Sequence, residues 1–195
     1  IEVRGSGFVL TGTDPSVVKF AGQTTAALGI TVNSITNTKI TLTLGASEVT
    51  GAQVTVTDEA TNEGAGGNFT IDNQNPTVSS IATRYIKNGA TSVVTGSGFT
   101  TNGNASGVKL GSTAINGSNA SYTVDSNTQI TITGASTDFT DQNVSVLDAA
   151  GNQSADSGKL LTIDATRPNI TGIQGSAPYI IKEGATVQIN GDNNK

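Results

Sequence analysis

The chain has 195 residues, a formal net charge of −5 and no Cys, His, Met or Trp, and its length is enough for about two small domains. Without Cys and His it lacks disulfides, thiolate nucleophiles and the commonest general base and metal ligand, which excludes most hydrolytic and redox chemistry. The acidic balance disfavours a nucleic-acid partner, and no apolar run is long enough to predict membrane insertion.

The sequence repeats itself at a spacing of about 90 residues, the size of a whole small domain. The matched segments are Gly5–Phe8 with Gly96–Phe99, Val18–Phe20 with Val108–Leu110, Asn37–Thr43 with Asn127–Thr133, Val54–Asp58 with Val144–Asp148, and Thr70–Asp72 with Thr162–Asp164. The repeat predicts a tandem array. We expect a module at 1–75 that lacks its first strand, a complete module at 76–167, and at 168–195 the first strands of a third module or a donor segment.

Apolar residues alternate with polar ones in the first repeat, as in half-buried strands. The predicted core of this repeat is Val3, Phe8, Val18, Phe20, Val32, Ile40, Leu42, Val54, Val56, Phe69 and Ile71. No segment of it matches the opening of the second repeat, 76–90. Because the chain contains no Met, we expect that Ile1 is not an untouched translation start.

The second repeat predicts seven short strands and hence an all-β sandwich. These strands are Thr77–Ile81, Thr91–Thr95, Gly107–Leu110, Tyr122–Val124, Gln129–Thr133, Asn143–Leu147 and Lys159–Ile163. Its predicted core is Val93, Phe99, Val108, Leu110, Val124, Ile130, Ile132, Val144, Val146, Leu161 and Ile163. Beyond it, Pro168 opens a third segment in which Gly184–Gly191 echoes Gly89–Gly96.

The motifs of the second repeat resemble the IPT/TIG family of immunoglobulin-like domains. They are Pro76, Gly89, Gly96–Phe99, Val108–Gly111 and Asn127–Ile130. The resemblance implies tandem immunoglobulin-like β-sandwiches with about seven strands per module. It implies little about function, because the family occurs in bacterial surface proteins, receptor ectodomains, Rel-type transcription factors and beside carbohydrate-active enzymes.

Two motifs invite a functional interpretation. The Gly-Ser-Gly-Phe tetrapeptides could begin a phosphate loop, but a β-rich stretch rather than a helix follows, which favours turns that direct Phe8 and Phe99 into the core. The stretch Asp148–Asn152 resembles an Asp-x-x-Gly-Asn turn of bacterial surface arrays. Its counterpart Asp58–Asn62 lacks the Gly, so whether the two turns share one geometry stays open.

Oxygen-bearing side chains at these turns are weak calcium candidates, namely Asp58, Asn62, Asp148, Asn152 and Asp156. Calcium takes six to eight oxygens, whereas Asp and Asn also favour turns by bonding their own backbone. We therefore expect no cofactor, with calcium as the alternative.

Asn104, Asn116 and Asn119 lie in sequons and are the best glycosylation candidates. Tyr85 and Tyr179 are expected to pack at module starts, which leaves Tyr122 unassigned.

The leading functional hypothesis is a non-enzymatic structural array of an extracellular surface protein: a spacer, coat or filament subunit on the cell surface. Its partners would be neighbouring modules or copies of the same protein. A strand from residues 168–190, carrying Ile170, Ile173, Ile180, Val187 and Ile189, could fill the open first module, although Val187–Asn190 would compete with Ile1–Arg4.

The alternative is an adhesin or glycan-binding module of a surface protein or carbohydrate-active enzyme. A Rel-like DNA-binding module is disfavoured because the Lys and Arg residues are scattered.

Overall fold

The protein is all-β. A computed structural model describes residues 1–8, 17–58, 60–173 and 183–192, and these residues form eighteen strands and no helix. No segment in the described part is therefore a helix that could cross a bilayer. The chain folds into two compact units, Ile1–Asn75 and Pro76–Lys195.

The first unit is a sandwich of two antiparallel sheets. Its strands are β1 (Glu2–Arg4), β2 (Val17–Phe20), β3 (Gln23–Thr24), β4 (Thr31–Ile35), β5 (Lys39–Thr43), β6 (Val49–Thr57) and β7 (Glu63–Ile71). One sheet has the order β1-β5-β4 and the other has the order β3-β2-β6-β7. Among the described residues, β1 and β7 therefore each form the edge of a sheet.

The second unit contains a larger sandwich. Its strands are β8 (Thr77–Ile81), β9 (Tyr85–Lys87), β10 (Thr91–Ser97), β11 (Gly107–Leu110), β12 (Thr113–Ala114), β13 (Ala120–Ser126), β14 (Gln129–Gly134), β15 (Phe139–Leu147) and β16 (Leu160–Asp164). The sheet orders are β13-β14-β10-β8 and β12-β11-β15-β16-β9. This is an immunoglobulin-like arrangement, in which the opening segment contributes β8 to one sheet and β9 to the other.

The two sandwiches share one topology apart from the opening strands. β1, β5 and β4 correspond to β10, β14 and β13, and β3, β2, β6 and β7 correspond to β12, β11, β15 and β16. The second unit adds β8, which covers the outer edge of β10, and β9, which pairs parallel with β16. The same sequence pattern thus produces the same two sheets twice, and among the described residues the outer edges of β10 and β16 are paired whereas those of β1 and β7 are not.

A separate hairpin follows the second sandwich. It consists of β17 (Asn169–Ile173) and β18 (Ile189–Asp192), which pair antiparallel. Tyr179 and Ile180 lie outside the described residues.

Each sandwich has its own apolar core, because alternate residues of facing strands point between the sheets. In the second unit the core contains Phe99, Val108, Leu110, Ile130, Ile132, Val144, Val146, Leu161 and Ile163, as predicted, and Val124 is partly buried against it. In the first unit Val18, Phe20, Ile40, Leu42, Val56 and Ile71 are buried, and Val3, Phe8, Val54 and Phe69 are partly buried against them.

The Gly-Ser-Gly-Phe segments are turns, as the sequence predicts. Gly7 and Gly98 have φ angles of 78° and 79°, and the following Phe N–H groups donate to Asn37 O and Asn127 O at 3.3 Å and 3.1 Å. Phe99 becomes fully buried. Its counterpart Phe8 remains partly exposed.

Two predicted core residues are wrong. Val93 is only half-buried because its two neighbours in the strand, Ser92 and Val94, are the residues that face the core. The Ser92 hydroxyl is accommodated by donating to Thr83 O at 2.7 Å. Val32 is exposed because β4 is the other edge of its sheet. Alternation predicts that a strand has one inner face. Where two apolar residues are adjacent, as Val93 and Val94 are, it does not determine which of them lies on that face.

The Asp-to-Asn turns have one geometry in both units. The Asp58 carboxylate accepts the Asn62 N–H at 2.9 Å and the Asn62 Nδ2 at 3.0 Å. The Asp148 carboxylate accepts the same two groups of Asn152 at 2.8 Å and 2.9 Å. The residue before the Asn has positive φ in each: 90° at Gly151 and 68° at Thr61. A β-branched residue in this conformation is strained.

We expect Thr61→Gly to stabilise the first unit, by about 1 kcal/mol, because it removes the steric cost of a left-handed β-branched residue. Gly151→Thr is the reciprocal variant, and it should destabilise the second unit by a similar amount. Denaturant titrations followed through the amide NMR signals of each unit separate the two effects. Unchanged midpoints in both variants would contradict the strain at Thr61.

Candidate functional site

A shallow depression of about 460 Å³ lies in the second unit, where β9 and β16 run side by side. It is lined by one aromatic ring and by hydroxyl, carboxylate and ammonium groups. The lining residues are Tyr85, Ile86, Lys87, Thr140, Asp141, Thr162, Asp164 and Thr166. Strand β15 contributes the bulge that brings Asp141 to this surface.

Tyr85 is exposed, contrary to the prediction that it packs at the module start. Its relative exposure is 65%, whereas its neighbour Ile86 is 5% exposed and lies in the core. Successive residues of a strand point to opposite faces, so burial of Ile86 in the three-residue β9 turns Tyr85 outward. The sequence contains a signal for this, because in a strand Tyr85 shares its face with the charged Lys87 and not with Ile86. The equivalence of Tyr85 and Tyr179 in the repeat led to the opposite prediction.

Arg84 connects the tyrosine ring to a carboxylate. Its guanidinium lies 5.2 Å from the centroid of the Tyr85 ring, and its Nη2 donates to Asp141 Oδ1 at 3.0 Å. Both ionic side chains are about half exposed, so this pair contributes little to stability. It does fix one face of the ring, because a guanidinium packs favourably over an aromatic face.

Asp141 is held in an unusual backbone conformation. Its φ is 48°, and the equivalent position in the first unit is Gly51, with a φ of 57°. The Asp141 N–H donates to Thr162 Oγ1 at 2.9 Å, and that hydroxyl donates to Asp141 Oδ1 at 2.9 Å. The hydrogen bond from Thr162, followed by that from Arg84, lowers the pKa of Asp141 below its usual value.

The same bulge in the first unit carries no such cluster. Gly51 N–H donates to Thr70 Oγ1 at 3.0 Å, as Asp141 does to Thr162. Glycine is the ordinary residue at positive φ, so an aspartate there is a local departure from the simplest structure. Departures of this kind are more frequent at binding sites than elsewhere.

The calcium candidates do not come together. Asp58 and Asp148 direct both carboxylate oxygens at their own Asn partners, and Asp156 Oδ1 accepts the Gly158 N–H at 2.9 Å. Among the described residues, no three acidic side chains cluster in a way that could hold an ion. Calcium binding at these turns stays a prediction.

The three glycosylation candidates differ in their surroundings. Asn104 and Asn116 are exposed. The Nδ2 of Asn119, the atom that a glycan would modify, donates to Ala114 O at 2.9 Å, and its Oδ1 accepts the Ala120 N–H at 2.7 Å. The Asn119 amide is thus engaged within its own turn and only partly exposed, so Asn104 and Asn116 are the sterically better sites.

Tyr122, which the sequence left unassigned, packs partly buried against the core of the second unit. It lies on β13 opposite Ile132. This placement accounts for the ring without a ligand. Of the two described tyrosines, Tyr85 is therefore the one with a ring available to solvent.

A second surface feature is a groove of about 710 Å³ in the first unit. One wall is the edge strand β1 with the turn that follows it, and the other is the outer part of β6 and β7. Its floor contains the partly buried Val3, Phe8, Val54 and Phe69. The equivalent residues of the second unit are Val94, Phe99, Val144 and Leu161, and each is 0% exposed.

Comparisons with known proteins give distant structural likenesses. No family model matches the chain, and no curated protein matches it. The chain is similar to a surface glycan-binding protein B of a mixed-linkage glucan utilization locus in Bacteroides ovatus (15% identity, TM-score 0.34), covering 87% of this chain and 43% of that one. It is similar to a protein of the same type from a xyloglucan utilization locus in Bacteroides uniformis (14%, 0.36), covering 92% and 54%. It is also similar to the tandem immunoglobulin repeats of Dlar (13%, 0.29), covering 77% and 84%.

These likenesses are too distant to assign a function, since every one of these TM-scores is below 0.5. The chain also spans less than half of the length of the glucan-locus protein. A functional assignment therefore depends on the residues of this chain.

Asn62→Ala should raise the pKa of Asp58 toward its usual value, because the Asn62 side-chain hydrogen bond is the largest cause that lowers it. A lowered folded pKa means that Asp58 stabilises the fold above its unfolded pKa of 3.8 and loses this contribution as the pH falls through the folded value. Carbon-13 NMR titration of the carboxyl group measures the shift directly.

The matched control is Asn68→Ala, an exposed residue of β7. It should leave the Asp58 titration unchanged. The acid-induced loss of stability should be smaller in Asn62→Ala than in the wild type. Equal titration curves for Asp58 in both variants would contradict the role of the Asn62 side chain.

Proposed function

We propose that this chain is a non-enzymatic structural segment of an extracellular surface protein, a tandem array that serves as a spacer, coat or filament subunit. The observation that carries the proposal is the repetition of one sandwich topology, with the same register in β2–β6 and β11–β15 and in β1–β5 and β10–β14. Val18 pairs with Val56 in the first unit as Val108 pairs with Val146 in the second. The acidic, Thr- and Asn-rich composition supports the extracellular location. Membership of the IPT/TIG family remains part of the proposal.

The pairing of β9 with β16 suits a module that carries load. The opening segment and the last strand of the sandwich run parallel, with Tyr85, Ile86 and Lys87 opposite Thr162, Ile163 and Asp164. Tension applied at Pro76 and beyond Asp164 pulls these two strands in opposite directions. Their hydrogen bonds, including Thr162 N–H to Arg84 O at 2.8 Å, are then loaded together in shear rather than one at a time.

The first unit provides an internal control for this idea, because no strand in its described residues pairs with β7 as β9 pairs with β16. In single-molecule force spectroscopy of the whole chain, we expect two unfolding steps. The contour lengths released should be about 25 nm for the first sandwich and about 30 nm for the second. The larger step should require the higher force. Equal forces, or a weaker second unit, would contradict a load-bearing role for the β9–β16 pair.

The second candidate function is glycan binding at the depression around Tyr85. Sugar rings pack against aromatic rings, and their hydroxyls exchange hydrogen bonds with carboxylates and hydroxyl groups. Tyr85 offers an exposed ring, while Asp141, Asp164 and Thr140 line the same depression. The hydrogen bonds from Thr162 and Arg84 hold Asp141 ionised and oriented, which suits it to accept hydrogen bonds from a ligand.

Tyr85→Ala tests this candidate against a glycan array and by calorimetry with the glycans that bind. Because the ring is exposed, the variant should fold normally and lose binding at least tenfold. Tyr85→Phe keeps the ring and is the matched control, with binding close to that of the wild type. Binding that survives Tyr85→Ala, or an array on which the wild type binds nothing, would remove this candidate and leave the structural function standing.

A further inference from the structure

Asp141 is the residue of the Tyr85 depression that the fold itself does not require. Its equivalent in the first unit is Gly51, and both lie at the register shift in the pairing of β15 with β16 and of β6 with β7. Asp141 N–H donates to Thr162 Oγ1 as Gly51 N–H donates to Thr70 Oγ1, so the bulge forms with either residue. At positive φ an aspartate has a steric cost that glycine avoids. The carboxylate is therefore an addition to the bulge and not a condition for it.

The two oxygens of the Asp141 carboxylate have different surroundings. The hydroxyl of Thr162, a buried residue, donates to Oδ1 at 2.9 Å. Arg84 Nη2 donates to the same oxygen at 3.0 Å. Both of these donors lie on Oδ1, and among the described residues no donor contacts Oδ2. The carboxylate is thus held in place through one oxygen, and the other is left to accept hydrogen bonds from a bound molecule.

Positive and negative side chains are matched at this depression. Arg84 is paired with Asp141, and Lys87 lies opposite Asp164 in the register of β9 and β16. A carboxylate on a ligand would meet two like charges and no unmatched cation, and an ammonium group would meet Arg84 and Lys87. Such like-charge contacts select against charged partners. A hydroxyl group both donates and accepts, so an uncharged ligand with several hydroxyls can bond to Asp141 and Lys87 together.

The walls of the depression are fixed by bonds within the protein. Arg84 covers one face of the Tyr85 ring, which leaves the other face for a ligand. On the rim, Thr166 Oγ1 donates to Asp138 Oδ2 at 3.0 Å and Thr166 N–H donates to Asp164 Oδ1 at 3.1 Å. Groups that are ordered before binding lower its entropic cost. The volume of about 460 Å³ lies in the range of about 300–1,000 Å³ that is usual for small-molecule sites.

We propose that the Tyr85 depression selects uncharged saccharides, with Asp141 as the specificity-determining residue and Arg84 as a positioning residue. A sugar ring packs on the open face of Tyr85, and its hydroxyls donate to Asp141 Oδ2 and accept from Lys87 Nζ. Arg84 holds Asp141 through Oδ1 and balances its charge. This inference rests on the glycan-binding candidate and names the class of glycan that the same site takes.

The first test compares three classes of ligand on the whole chain. The probe is an array of uncharged, uronate-containing and cationic amino-sugar oligosaccharides of equal length, followed by calorimetry with those that bind. We expect binding to members of the uncharged class and none to the two charged classes. The selectivity should not increase with added salt, because screening weakens the like-charge contacts that exclude the charged classes.

Asp141→Gly separates a role in binding from a role in folding. The variant should keep the unfolding midpoint of the second unit at or above that of the wild type, because glycine suits the bulge as Gly51 does. Its binding to uncharged oligosaccharides should fall by about tenfold or more, because a hydrogen bond to a charged group is lost. Gly51→Asp is the matched control in the first unit, and it should leave binding unchanged.

Two further variants unbalance the charges in opposite directions. Asp141→Asn keeps a residue that tolerates positive φ and leaves Arg84 without its carboxylate, so binding of uronate-containing oligosaccharides should appear. Arg84→Gln leaves Asp141 without its cation, so binding of amino-sugar oligosaccharides should appear. Both variants should lose affinity for the uncharged class. A merely structural role would weaken all three classes alike and would not move the preference in opposite directions.

The outcomes that overturn this inference differ from those that overturn glycan binding. A wild type that binds charged oligosaccharides as well as uncharged ones, or full binding in Asp141→Gly, would overturn the selection of uncharged saccharides while Tyr85→Ala still tests the site. An unchanged class preference in both Asp141→Asn and Arg84→Gln would overturn the roles of these two residues. An array without any binder would overturn both the inference and the candidate on which it rests.

Discussion

The close approach of the opening strand β8 to Gly96 is the constraint on which the sealed core of the second sandwich depends. At Gly96 the backbone of β8 passes so near that any side chain would overlap Thr77 O, and the Phe99 ring lies against the same point. Phe99 is fully buried there, a contribution of about 1.5–3 kcal/mol. The ring closes the core below β8, and β8 keeps the ring from water. The turn at Gly98, where Pro76 packs, brings these pieces together.

In the first unit no strand among the described residues pairs with the outer edge of β1. The Phe8 turn forms with the same hydrogen-bond pattern, since Gly5 N–H donates to Thr38 O at 3.0 Å as Gly96 N–H donates to Thr128 O at 3.0 Å. The pairs β1–β5 and β2–β6 also keep the registers of β10–β14 and β11–β15. Burial of the floor residues is what changes, so the topology is set by the turns and alternation while the opening strand supplies the seal.

The sequence was sufficient for the parts of the fold that local patterns determine. Alternation in Gln129–Thr133 and the repeat of Val54–Thr57 at Val144–Leu147 predicted β14 and β15, because both strands have a continuous inner face. It failed at Val93 because Val93 and Val94 are adjacent apolar residues, and alternation alone does not determine which of them faces the core. The short strands β9 and β12 were missed because two or three residues carry too little periodicity.

Side-chain directions at the candidate sites follow less directly from local sequence patterns than the strands do. Asp58 and Asp148 were identified as calcium candidates because their residue types suit the ion, but side-chain direction turns their oxygens toward Asn62 and Asn152. The Tyr85 depression depends on three segments that are distant in sequence: Tyr85 itself, the Asp141 bulge and Thr162. No local pattern relates them. The positive φ at Asp141 has one sequence signal, which is that its repeat equivalent is Gly51.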